Sequence, residues 1–325
     1  MENPSLSFYG LGIAPKILEI LANLKFQIPT PIQHKAIPLA IEGKDIIGLA
    51  QTGTGKTMAF AIPMIQHLAQ TKSRGLIIVP TRELAVQVQE SMSKIVQGFG
   101  IRSVVLIGGE SMHTQIQALK RSPRIIIATP GRLLDFLRQK QLHLKDIDVL
   151  VLDEADRMLD MGFAPDIEQI IKMVPAQRQT LFFSATMPPE IMKMASRYMK
   201  LPVNVEIAPH GTSAEHVTHE VFIVHKDMKR TLLGKLLKQF RGSILLFCRT
   251  KMGARKIARQ LRDWGHNSAE IHSDRSLAQR RQALEGFKTG RFRILVATDI
   301  ASRGIDVKGI ELVINYDLPD QAENY

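Results

Sequence analysis

Residues 45–57 read Asp45-Ile46-Ile47-Gly48-Leu49-Ala50-Gln51-Thr52-Gly53-Thr54-Gly55-Lys56-Thr57, an apolar run giving way to a glycine-rich turn closed by lysine and threonine. The run suits a strand covered on both faces, and the residues after Thr57 suit a helix. Strand, glycine-rich turn and helix in that order are the context of a phosphate-binding loop. Glycines let backbone N–H groups close around phosphate oxygens, and the helix N-terminus adds a favourable dipole. Lys56 would then reach the β- and γ-phosphates, and the Thr57 hydroxyl would hold Mg2+. Ala50 stands where the strict form of the motif has its first glycine, and an ordinary glycine-rich turn is the alternative.

A second run strengthens the phosphate reading. Val149-Leu150-Val151-Leu152 ends in Asp153-Glu154-Ala155-Asp156, so adjacent carboxylates follow a buried strand. The C-terminal edge of a parallel sheet is where such folds put their ligands. Asp153 would hold Mg2+ and Glu154 would orient and activate an attacking water. A solvated acidic turn, the alternative, leaves the apolar strand before it unexplained.

Working outward, strand-like runs at residues 45–49, 75–79, 102–107, 124–128, 148–152 and 180–183 alternate with amphipathic segments. Ala14, Ile17, Leu18, Leu21 and Leu24 make one helical stripe. Thr81 suits the N-cap of a helix starting at Arg82, and Pro130 suits a first helical turn. Residues 208–216 lapse into Pro, His, Gly, Thr and Ser, a linker signal. Strand-like runs then resume at 217–224, 243–247, 267–271, 292–297 and 311–315. The class is α/β, with parallel sheets flanked by helices. The expected domains are 1–208 and 218–325, joined by a linker at 209–217.

Lys and Arg exceed Asp and Glu by 12 over 325 residues, 5 of the excess falling in the first 208 and 7 in the rest. An excess shared by both halves suits a polyanion contacted by both, or simply a solvated basic surface. The single cysteine, Cys248, excludes a disulfide framework and a Cys-based zinc site. His272 and His210 have no partners at metal-ligand spacing. The chain opens without a signal-peptide pattern and contains no apolar run of about 20 residues, so the expectation is a soluble, cytoplasmic protein without membrane contact.

Asp153-Glu154-Ala155-Asp156 spells the motif of the DEAD-box RNA helicases, and the chain from Phe8 to Tyr325 resembles the core of that family, in its bacterial-type form. The resemblance implies two tandem RecA-like domains, ATP with Mg2+ as cofactor, RNA as partner and a monomeric state. Ala50–Thr57 is similar to the family's phosphate loop, in which Ala at the first position is normal, so Thr52, Gly53, Thr54 and Gly55 fall among its nucleotide contacts. Phe26-Gln27-Ile28-Pro29-Thr30-Pro31-Ile32-Gln33 is similar to its Q motif. There Phe26 would stack on adenine and the Gln33 amide would read the base edge. Lys25 stands where the family usually has glycine, and Phe8 resembles its upstream aromatic or is an ordinary core residue.

Pro80-Thr81-Arg82, Gly108-Gly109 and Thr129-Pro130-Gly131-Arg132 resemble the family's first-domain RNA contacts, which implies sequence-tolerant binding to sugar and phosphate. Ser184-Ala185-Thr186 is similar to the coupling motif, whose hydroxyls are expected to bond to Asp156. In the second half Arg249 lies in the place of motif IV. Arg280 matches the arginine of the Q-x-x-R element, with Leu277 at the glutamine position. Residues 297–306 match motif V, implying an RNA contact for Thr298, coupling roles for Asp299 and Arg303, and a ribose contact for Asp306. The family continues into a helix whose arginines reach the γ-phosphate, and this chain ends at Tyr325 where that segment is expected to begin. The resemblance therefore implies a helicase that unwinds short RNA duplexes by closing a cleft between its domains. A clamp that binds ATP and RNA with impaired hydrolysis is the alternative.

Overall fold

The computed structural model of the chain describes residues 7–51, 53–207, 217–298, 307 and 309–318. It divides into two compact units, Met1–Thr212 and Ser213–Tyr325. The first unit runs α1 (Pro15–Asn23), α2 (Pro31–Ile41), β1 (Ile46–Leu49), α3 (Lys56–Gln70), β2 (Arg74–Ile78), α4 (Arg82–Val96), β3 (Ser103–Leu106), α5 (Met112–Leu119), β4 (Ile125–Ala128), α6 (Pro130–Arg138), β5 (Ile147–Asp153), α7 (Ala155–Asp160), α8 (Ala164–Met173), β6 (Gln179–Ser184), α9 (Pro189–Tyr198) and β7 (Val203–Glu206). Its seven strands are parallel and ordered β3-β4-β2-β5-β6-β1-β7.

The apolar strands account for this layering. Ile47, Leu76, Ile78, Ile126, Leu150, Leu152 and Phe182 face α6, α8 and α9 in one continuous core. The opposite face packs on α3, where Phe60 meets Phe183 with ring centroids 5.6 Å apart. Strands with both faces covered need no polar alternation, which is why their sequences read as unbroken apolar runs. Thr81 caps α4 by accepting from the Leu84 N–H, and Pro130 occupies the first turn of α6, both as the sequence implies.

The second unit contains α10 (Lys229–Gln239), β8 (Ile244–Cys248), α11 (Lys251–Asp263), β9 (Ser268–Ile271), α12 (Leu277–Lys288), β10 (Ile294–Thr298) and β11 (Leu312–Asn315). Its four strands are parallel and ordered β11-β8-β10-β9. Among the described residues no helix is long and apolar enough to cross a membrane.

Two elements differ from the sequence expectation. Residues 217–224 form no strand; Val221 is 80% and Ile223 99% exposed. Apolar composition favours a strand only where a neighbour takes its backbone bonds, and no described strand lies beside this segment. Conversely, β7 was not anticipated. It is a four-residue edge strand in which only Val205 is buried, too short and too polar to announce itself. Residues 209–216 of the expected linker, and His210 with them, lie outside the described residues.

Asp45 ties the lower ends of three strands together. It is buried, its Oδ1 accepts from the Thr180 N–H and its Oδ2 from the Lys200 N–H, each at 2.7 Å. Removing a charged acceptor strands two backbone donors, so Asp45→Ala should lower stability by about 3 kcal/mol in urea denaturation.

Candidate functional site

The loop after β1 is built around Gly55. Its φ of 90° lies in the left-handed region, and a Cβ there would collide with Gln33 Nε2. α3 begins at the next residue, Lys56, whose buried ammonium donates to the Ala50 carbonyl at 2.8 Å. The ammonium therefore lies inside the turn, and the Thr54 hydroxyl closes it further by donating to the Gln51 carbonyl at 2.7 Å. Thr57 is half-buried on the first turn of α3. Thr52 lies outside the described residues.

Gln33 reaches this loop from α2. Its Oε1 accepts from the Thr30 N–H at 2.9 Å and its Nε2 donates to the Gly55 carbonyl at 3.0 Å. Both ends of the amide thus serve the fold, and each end can make one further bond. Phe26 is 40% exposed, whereas Phe8 is in the core. Lys25 has a φ of 62°, a conformation glycine adopts freely, which explains what a glycine before the aromatic supplies.

Two strands away, β5 delivers Asp153, Glu154 and Asp156, all at least nine-tenths buried. Burial pushes the Asp153 carboxyl up to about 6; the Lys56 charge opposes this, while the neighbouring Glu154 and Asp156 add to it. Glu154 sits in the left-handed region, φ 54° and ψ 49°, at the junction of β5 and α7. Both its carboxylate oxygens accept from Arg157 Nη1 at 2.8 Å. Sequence reading passed over Arg157, although three residues along a helix is ion-pair spacing.

Asp156 is a hub. Its Oδ2 accepts from the Ala185 N–H at 3.1 Å, the Thr186 N–H at 2.9 Å and the Thr186 hydroxyl at 2.9 Å, while Oδ1 accepts from the Arg157 N–H. Ser184 also bonds to Asp156, as expected, but at its backbone. Its hydroxyl accepts from the Asp156 backbone N–H at 3.2 Å and makes no described bond to the carboxylate. A first-turn amide of α7 has no partner within its own helix, and Ser184 supplies one. The Ser184 carbonyl in turn accepts from the Ala50 N–H at 3.0 Å, so the Ser184–Thr186 segment and the glycine-rich loop are adjacent.

The remaining first-unit motifs gather at the ends of β2, β3 and β4. The Arg82 guanidinium lies against Gly108 and Gly109, so close that a Cβ at Gly109 would collide with it. Arg132 Nη2 donates to the Glu110 carbonyl at 3.2 Å, and the Thr129 N–H to the Leu106 carbonyl at 3.1 Å. Pro80, Thr81 and Gly131 share this edge because their segments follow β2 and β4.

In the second unit, Arg249 and Thr298 follow or end the adjacent strands β8 and β10, and Arg280 lies on α12. Arg249 donates from its backbone to Asp317 at 3.2 Å and from Nη2 to the Leu318 carbonyl at 3.1 Å. Asp299, Arg303 and Asp306 lie outside the described residues. His272 is fully buried, with the Glu270 carboxylate 3.6 Å away.

A parallel sheet with a phosphate loop after its first strand and paired carboxylates after a central one is the RecA-like arrangement of P-loop helicases. The DEAD/DEAH box helicase family model matches residues 30–194, and the helicase conserved C-terminal domain model matches 228–325. The chain is 44% identical over 323 residues to the ATP-dependent rRNA helicase RRP3 of Debaryomyces hansenii, covering 98% of this chain and 68% of that protein. It is 43% identical to the ATP-dependent RNA helicase CshA of Listeria monocytogenes, covering 98% of this chain and 62% of that one. Among solved structures, S. cerevisiae Dbp5 bound to RNA and ADP BeF3 matches with a TM-score of 0.86 at 29% identity, over 98% of this chain and 82% of the solved chain. The chain belongs to the DEAD-box family of ATP-dependent RNA helicases.

The displaced Asp153 carboxyl gives a pH-dependent test. A carboxyl whose pKa is raised from 3.8 to about 6 on folding favours the native state while protonated, and that contribution is lost as pH rises through about 6. Asp153→Asn removes this cost, so at pH 8 the nucleotide-free variant should be about 3 kcal/mol more stable than the parent. Urea titrations at pH 8 and pH 4 check it, since the gain should vanish at the lower pH.

Proposed function

We propose that the chain binds ATP and RNA through both of its units and locally unwinds short RNA duplexes in step with ATP hydrolysis. One observation carries this most directly. Asp156 joins the carboxylate pair to Ser184-Ala185-Thr186, and Ser184 in turn bonds to the first residue of the phosphate loop. A change at the γ-phosphate therefore has a hydrogen-bonded route into the coupling segment.

In this reading Phe26 stacks on adenine, and the free N–H and lone pair of the Gln33 amide read its edge. Backbone amides of Thr52, Gly53, Thr54 and Gly55 enclose the phosphates. Lys56 turns from the Ala50 carbonyl to the β- and γ-phosphates, exchanging one acceptor for a charged one. Thr57 and Asp153 hold Mg2+; a hydroxyl and a buried carboxylate are the hard oxygen donors such an ion takes, and a cation there offsets the burial that displaces the Asp153 carboxyl. When bound, the ion neutralises charge developing on the transferred phosphoryl group. Glu154 orients the attacking water, and Asp306 meets the ribose.

RNA lies along Pro80, Thr81, Arg82, Gly109, Thr129, Gly131 and Arg132, and along Arg249, Arg280 and Thr298 of the second unit. Arginines, hydroxyls and backbone amides address phosphate and sugar, so binding tolerates sequence. Asp156, Asp299 and Arg303 couple nucleotide state to RNA. We further propose that the protein acts as a monomer in the cytoplasm.

RNA-stimulated ATPase and titration with Mg·ATP test these roles. Lys56→Ala should abolish most ATP affinity. Glu154→Gln should keep ATP and RNA binding while lowering turnover by about 10²–10⁴, the usual contribution of a positioned base. Loss of ATP binding in Glu154→Gln would rule out its role with water. Binding of both ligands by the parent without RNA-stimulated turnover would identify a clamp instead.

A further inference from the structure

Gln115 is a polar residue on α5 that is only 3% exposed. Its amide makes both of its bonds to a single residue. Oε1 accepts from the Ile107 N–H at 3.1 Å, and Nε2 donates to the Ile107 carbonyl at 2.9 Å. Ile107 follows the last residue of β3, and β3 is the edge strand of the seven-stranded sheet. The side chain thus takes the place of a further strand, pairing donor to acceptor and acceptor to donor as a peptide group would. Without it, a buried N–H and a buried C=O at the sheet edge lose their partners.

Ile107 leads directly into Gly108-Gly109. Gly109 has a φ of 78°, so the turn it makes is closed to side chains. The Arg82 guanidinium rests on this turn: a Cβ on Gly108 would fall 3.1 Å from Nη2, and one on Gly109 would collide with Nη1. Arg132 bonds to Glu110, the next carbonyl. The loop is therefore the floor under two arginines, and Gln115 pins its entry.

We propose that Gln115 is a positioning residue for RNA binding, fixing the Gly108-Gly109 turn and through it the Arg82 guanidinium that meets phosphate. This rests on the RNA-contact reading of Arg82. Gln115 itself touches no RNA. Packing alone does not account for it, because methionine has the same length and suits a buried site better.

The test is a double-variant cycle on the full chain, with a short single-stranded oligouridylate and a non-hydrolysable ATP analogue, read by fluorescence anisotropy over a range of KCl. Gln115→Met should weaken RNA binding about ten-fold and flatten the slope of log K against log salt by about 0.7, the loss of one phosphate contact on a single strand. Arg82→Ala should do the same, and the double variant should bind no more weakly than Arg82→Ala. If Gln115→Met folds poorly by circular dichroism, Gln115→Glu replaces it; it keeps the volume and the acceptor but turns a carboxylate oxygen on the Ile107 carbonyl. Fold-changes that simply multiply in the double variant overturn the proposal, since they mean Gln115 acts apart from Arg82. So does an unchanged affinity and slope in Gln115→Met while Arg82→Ala weakens binding. If Arg82→Ala itself leaves RNA binding intact, the reading of Arg82 fails, and the route through it fails with that reading.

Discussion

Three carboxylates within four residues, Asp153, Glu154 and Asp156, are buried at the end of β5, and the surrounding structure is organised to make this tolerable. Isolated charges in such a place are costly, and removing any partner leaves the cost uncompensated. Each acid has a different remedy. Glu154 has a guanidinium bonded to both oxygens, Asp156 has a set of backbone and hydroxyl donors, and Asp153 has the Lys56 charge nearby and one backbone N–H from Glu154. Asp153 is the least compensated, and its carboxyl is displaced accordingly. A site that leaves one acid short of positive charge is suited to receive a cation, whereas a fully neutralised one gains nothing from it.

The order of strands sorts chemistry along the sheet. β5, β6 and β1 are consecutive, so the carboxylates, the Ser184-Ala185-Thr186 segment and the glycine-rich loop emerge side by side. β3, β4 and β2 are the other consecutive group, and their ends bring Arg82, Gly108-Gly109 and Arg132 into one cluster. Because all strands are parallel, every loop leaving a C-terminal end falls on the same edge. The sheet thus separates the two groups of motifs laterally while keeping them on one rigid base, with β2 and β5 paired as the boundary.

Buried amides do much of the local positioning. Gln33 links the cap of α2 to Gly55, and Gln115 links α5 to Ile107. Glutamine suits both places because a single side chain offers a donor and an acceptor without adding charge. A carboxylate would repel the carbonyl that each of them meets.

Much of this was legible in the sequence. Apolar runs located ten strands, since periodicity is set by burial on both faces and survives without any knowledge of neighbours. The glycine-rich loop and the paired acids were legible in the same way, because glycine, lysine and adjacent carboxylates at a strand end have few other uses, whereas the other motif residues came from the family resemblance alone. Whether an extended segment becomes a strand was not legible, as residues 217–224 and β7 demonstrate in opposite directions; that depends on which backbone lies alongside. Nor was the partner of any given polar atom. Arg157 on Glu154, Ser184 on the Asp156 amide and Gln115 on Ile107 are fixed by where separate elements come to rest, and hydrogen bonds are short and directional. Local composition determined which chemistry the chain carries, and only packing decided which atoms hold it in place.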